Sequence, residues 1–414
     1  MKTFIRSFAL ALVALTATAC SSGSDQIIEE PGGDGGAGGA ANTGGRAGAD
    51  AGKGGSAGAA NTGGRANTGG SPGSGGSPGP SQWVKVGKPS EGACADVTAL
   101  KAKPEADIIL ASTWKVGIFA STDGAATFTK LGSIDHGPVE LLIDPVTPTT
   151  FWESGMYGGP IVKTTDNGAT FTTLGSASHL DGMSVDFSDP NRMTLLTGGH
   201  EQKQNLQRST DGGQTWTNIG TNLGASLASC TYPLIIDAAT YLVGCSGNGW
   251  IAGDLGVYRS TDSGSTWARA SSASATDQGP MPDPLMASDG TIYWSIVYNR
   301  GMLVSTDKGV TWAKRFAWND IMPATPTELP DGRVVAPGSK GKQLQATSDK
   351  GKTWKTIATA VPYDPAGITY SKYRKAFYIY HSDCSGGMND AIMMHPFDWT
   401  TPDGKPPASD AGVD

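Results

Sequence analysis

An all-β fold is predicted by three features of the 414-residue sequence. A twelve-residue segment recurs six times, short β-rich runs fill the intervals, and no stretch carries helical periodicity. The copies are STDGAATFTKLG from Ser121, TTDNGATFTTLG from Thr164, STDGGQTWTNIG from Ser209, STDSGSTWARAS from Ser260, STDKGVTWAKRF from Ser305 and TSDKGKTWKTIA from Thr347. Their aspartates, Asp123, Asp166, Asp211, Asp262, Asp307 and Asp349, are 43, 45, 51, 45 and 42 residues apart. A period in the forties matches one four-stranded blade of a β-propeller.

The chain opens MKTFIRSFALALVALTATAC. A basic start, an apolar run too short to span a bilayer and small residues before Cys20 resemble the signal and lipobox of a bacterial lipoprotein. That resemblance implies lipidation of Cys20, with the membrane touched only through the lipid. The expected location is the cell envelope, with secretion as the alternative. Residues 21–81 are dominated by Gly, Ala, Ser and Pro and cannot build a core, so they read as an unstructured tether. About 50 such residues span roughly 40 Å. Residues 82–400 are left for the propeller and 401–414 for an unstructured tail. Residues 1–81 hold five Lys/Arg and five Asp/Glu, so the net charge of −7 lies on the remainder. A mildly acidic domain without a basic run argues against nucleic acid, and a monomer is expected.

Each repeat has its own turn physics. Its aspartate can accept bonds from nearby backbone amides. Gly168, Gly213, Gly264, Gly309 and Gly351 supply a positive φ that other residues resist, with Ala125 in the first copy. The next aromatic, from Phe128 to Trp354, starts a strand and packs between blades. The pattern S/T-x-D-x-G-x-T-W/F resembles the Asp-box (BNR) repeat of sialidase-like propellers, over residues 83–400. The resemblance implies that the box lies between the third and fourth strands of a blade.

After Ala360, AGITYSKY, AFYIYHS and DAIMMHPF provide three strands and no fourth, whereas QWVKVGK at 82–88 looks like a fourth strand. Pairing 82–88 with 390–397 closes a seventh blade that has no box; a six-bladed ring with residues 361–400 appended is the alternative. Closure removes exposed sheet edges. In an exported chain the four later cysteines are expected as disulfides, Cys230 to Cys245 across a hairpin and Cys94 to Cys384 across the closure.

Functional candidates follow from strand order. The boxes lack the later acidic ligands of a calcium loop, so no metal and no cofactor is expected there. The opposite mouth is built by loops leading into each blade and by loops joining second and third strands. It receives His136, His179, Asp181 and Trp318 from the first class. Trp114, Tyr157, His200, Glu201, Lys203, Trp250, Arg300 and His381 come from the second. Asp135, Glu153, Asp254 and Tyr363 fall in the same loops. Four of five histidines therefore collect at one rim, where neutral imidazole suits proton transfer. Trp114, Trp250 and Trp318 can stack on sugar rings, with Lys203, His136 and His381 as further substrate contacts.

A sialidase needs an arginine cluster, and only Arg300 is placed at this mouth. A glycoside hydrolase needs two carboxylates; Asp181 with Glu201 is one pair, with Asp135 or Asp254 as others. The large xyloglucan-active Asp-box hydrolases use two facing propellers, and this chain has one. A polysaccharide lyase needs His or Tyr as base and a cation for the uronate carboxylate, roles that fit His179, His200, Tyr157, Arg300 and Lys203. A non-catalytic binding or scaffold propeller is the alternative. The expected partner is an extracellular polysaccharide.

Overall fold

The computed structural model describes residues 82–89, 97–135, 137–246, 253–270, 279–280, 282–296, 301–316, 324–338, 342–381 and 392–404. The chain divides into two units, Met1–Gly73 and Ser74–Asp414, and all described residues lie in the second. Cys20, Cys94, Cys384, His136, Trp250, Arg300 and Trp318 lie outside the described residues.

Seven four-stranded antiparallel sheets form the blades of a propeller. Blade 1 runs through Val97–Ala102, Ile109–Thr113, Gly117–Ser121 and Thr129–Lys130, and blades 2 to 6 repeat that order. The seventh joins Gly367–Ser371, Ala376–Tyr380 and Met393–Pro396 to Val84–Lys85 from the other end of the domain. Val84 pairs with Met394 and Lys85 with Met393, as the closure predicts. Trp83 takes the place of a box aromatic: it stacks on His395 at 4.9 Å and donates its indole N–H to the Thr359 carbonyl at 3.1 Å.

Side-chain alternation explains the packing between blades. Leu196, Leu206 and Ile219 of blade 3 meet Ile235, Tyr241 and Val243 of blade 4 in one buried cluster. Similar clusters fill the other blade interfaces, the last joining Ile109 and Ala111 of blade 1 to Tyr378 and Tyr380 of blade 7. Burial of such side chains is worth about 1.5–3 kcal/mol each before entropy is counted. Cys230 and Cys245 face each other across the first two strands of blade 4 and form a disulfide.

All six boxes sit between third and fourth strands and satisfy themselves. In blade 3, Asp211 accepts from the Thr215 amide at 2.9 Å, the Thr215 hydroxyl at 2.5 Å and the Ser209 hydroxyl at 2.8 Å. Ser209 Oγ in turn accepts the Gly213 amide at 2.8 Å. The hydroxyl and amide of Thr215, then Ser209, hold the Asp211 carboxyl down at about 2. Where the aromatic is tryptophan its indole N–H also returns to the box, as from Trp216 to the Gly213 carbonyl at 3.1 Å. At Gly309, φ is 80° and an added Cβ would lie 2.6 Å from Leu242. Ala125 also has a positive φ, 68°, and shares its cluster with Val86, which directly follows the closing strand Val84–Lys85.

Candidate functional site

Antiparallel strand order puts the boxes and the first hairpin turns at one mouth, and the second-to-third-strand loops at the other. At that second mouth, blades 1 to 3 bring Trp114, Tyr157, His179 and His200 together. Asp181 occupies a bulge: Leu180 pairs with Gly199 and Gly182 with Gly198, leaving Asp181 as the extra residue. A bulge re-aims its side chain, and here Asp181 Oδ1 reaches His200 Nδ1 at 2.6 Å. Both residues are buried. Backbone bonds fix the loops, from the His200 amide to the His179 carbonyl at 2.8 Å and from the His179 amide to the Gly159 carbonyl at 3.3 Å.

Aromatic edges cover His200. Its ring lies 4.7 Å from Tyr157 and 5.1 Å from His179, and Tyr157 meets Trp114 edge to face at 5.4 Å. Tyr157 is 62% exposed, so the platform opens to solvent. Lys115 Nζ stands 5.8 Å from the centre of the Trp114 ring. His200 Nε2 is buried with no hydrogen-bond partner, and its nearest carboxylate oxygen, on the half-exposed Glu201, is 3.9 Å away. A hydroxyl placed between those two atoms could bond to both. The bond from Asp181 pushes the His200 pKa up, against the opposing effect of burial, and the charge of Glu201 adds to the rise.

Other expected residues lie outside this cluster. Lys203 is exposed on the His200 loop. His381 packs edge-on against Tyr363 at 5.6 Å in blade 7. The Tyr363 hydroxyl donates to the Ile379 carbonyl at 3.0 Å, which makes it a strut between strands. Asp254 is tied to Ser226 by hydroxyl and backbone bonds of 2.7 and 2.8 Å. Glu153 is not in a loop: it lies inside the strand Phe151–Met156 and is fully buried. The strand runs further than the turn-prone stretch ESGMYGG suggests, because Ser154 to Met156 still pair with the first strand. No group of three or more His, Cys, Asp or Glu side chains suited to a metal occurs among the described residues.

Sequence reasoning missed a second charged group, inside the channel. Glu140 of blade 2 accepts the Met183 amide of blade 3 at 2.7 Å, and Asp283 of blade 5 reaches the neighbouring Gly182, whose added Cβ would be 2.8 Å from its Oδ1. Burial, then the charge of Asp283, raises Glu140 well above the usual carboxylate range; burial raises Asp283 to about 7. A charged residue within the apolar run VELLI was the available signal.

The BNR/Asp-box repeat family matches residues 207–218, the box of blade 3. No curated protein sequence matches the chain. Among solved structures, the GH74 xyloglucanase from Xanthomonas campestris is similar at 18% identity and TM-score 0.52, over 72% of this chain and 52% of that one. The GH74 enzyme of Niastella koreensis is similar at 16% identity and TM-score 0.53, over 74% and 56%. This chain thus spans about half the length of those structures. YCF48 bound to a D1 peptide is similar at 13% identity and TM-score 0.51, over 78% of this chain and 97% of that one. At such identities the likeness establishes the fold.

Proposed function

We propose that this seven-bladed Asp-box propeller binds an extracellular polysaccharide across Trp114 and Tyr157 and cleaves it by elimination beside a uronate carboxylate. The observation that carries this reading is the buried Asp181–His200 pair beneath an exposed aromatic platform, with His200 Nε2 left unpartnered. Because Nδ1–H donates to Asp181, neutral His200 carries its lone pair on Nε2. That nitrogen takes the C5 proton of the uronate, the C4–O bond breaks, and a C4=C5 double bond forms. Tyr157 gives its hydroxyl proton to the leaving oxygen and regains one from His200 or water. Among the described residues, Lys115 and Lys203 are cations at this rim for the uronate carboxylate. Hydrolysis by Asp181 and Glu201 fits less well, since Asp181 is buried and committed to His200.

The Cys230–Cys245 disulfide suits an exported protein, and the lipid anchor at Cys20 is part of the same reading. A second reading, a non-catalytic binding propeller, is favoured by size: YCF48, whose structure holds a peptide, matches along 97% of its length. The test is a panel of neutral and uronate-containing polysaccharides incubated with the full chain. Elimination gives ultraviolet absorbance from the unsaturated product, hydrolysis gives reducing ends alone, and binding without either product supports the second reading.

A further inference from the structure

At the Asp-box mouth the central channel widens into a cavity of about 860 Å³. Its wall is apolar, with Ile143, Ile235, Leu285 and Tyr370, and its charged lining is uneven. Four carboxyls (Glu105, Glu140, Asp283 and Glu328) face it, against two amines, Lys101 and Lys372. Two of the four are already engaged. Glu105 pairs with Lys372 at 3.2 Å, and Glu328 accepts the Ser288 amide and hydroxyl at 2.8 and 2.6 Å.

Glu140 and Asp283 are left at the inner end, meeting across the channel from blades 2 and 5. Glu140 has one backbone donor, from Met183, and Asp283 Oδ1 is buried without a partner. The groups facing the pair are Lys101 from blade 1, Asp181 from blade 3, Tyr232 from blade 4 and Tyr380 from blade 7. Two carboxyls thus share one cation, Lys101, and retain a proton between them because desolvated like charges cannot both ionise. A largely apolar cavity with few convergent polar groups is the usual form of a small-molecule site.

We propose that this cavity binds a small organic cation, with an ammonium head entering between Glu140 and Asp283 and an apolar body along the channel wall. The ligand's charge replaces the shared proton, which leaves to solvent, so one cation enters and one proton departs. Binding therefore tightens as pH rises through the range in which the pair would otherwise hold its proton. It weakens again only where the amine itself deprotonates, at about 10.

The probe is hexylammonium, titrated calorimetrically into the full chain in two buffers of different ionisation enthalpy. The expected result is saturable binding with about one proton released per ligand, weakening about tenfold per pH unit below neutrality. Hexanol and hexanoate should fail to bind. Asp283→Asn should weaken hexylammonium binding at least tenfold, and Glu140→Gln should remove the proton release. The proton count on the unmodified chain needs no variant to fold. Absence of saturable binding, equal binding of hexanol, or binding with no proton released would each overturn the proposal.

Discussion

The two mouths of the propeller use the same residue types to opposite ends. At the box mouth, every box carboxylate is met by a threonine four residues on and a Ser or Thr two residues before. At the loop mouth, Asp181 is spent on His200 and His200 Nε2 has no partner. Backbone strain does not distinguish them, since Lys308 in a box and Tyr157 and His179 in the loops all have positive φ. The difference lies in satisfaction. A polar group whose partners are supplied by its own turn stabilises the fold, whereas a buried group left without one is poised for a ligand.

The largest effect should follow removal of the unsatisfied imidazole. His200→Ala is expected to lower cleavage by about 10³-fold, measured as initial rate, while the Cys230–Cys245 hairpin and far-ultraviolet spectrum persist. At the other mouth, Gly309→Ala should cost about 2–3 kcal/mol in denaturant unfolding, from a strained φ and a clash with Leu242. Gly332 has φ 84° and nothing within 4 Å of an added Cβ. Gly332→Ala should therefore cost about 1 kcal/mol, isolating strain from crowding. Neither glycine change should alter cleavage at temperatures where the chain stays folded.

Acid should separate the mouths more finely. The lowered box carboxylates contribute stability that is present above about pH 4 and lost as pH falls towards about 2. His200, with a raised pKa, contributes below its ordinary value of about 6.5 and loses that contribution as pH rises through the raised one. The melting temperature should thus drop on acidification in the wild type and in His200→Ala alike. Cleavage, which needs the neutral imidazole, should instead increase as pH rises through the raised value.

Much of the fold was legible because repeats are local. Six boxes at blade spacing fix the third and fourth strands, and the likeness of QWVKVGK to a box-following strand identifies the closure. The site was only half legible. Strand order assigns Tyr157, His179, His200 and His381 to one rim, but the contact among the first three depends on adjacent loops of blades 2 and 3, whereas His381 packs on Tyr363 in blade 7. Glu140 and Asp283 meet across the channel between blades that are not neighbours, and no periodicity encodes such a contact.

Hydrogen exchange of the full chain, with and without the polysaccharide that the panel selects, compares the two mouths directly. Exchange should slow at the amides of residues 157–159, 179–181 and 200–205, with residues 211–215 and 307–311 of the boxes unchanged. Protection at the box turns, or at neither mouth, would contradict that expectation.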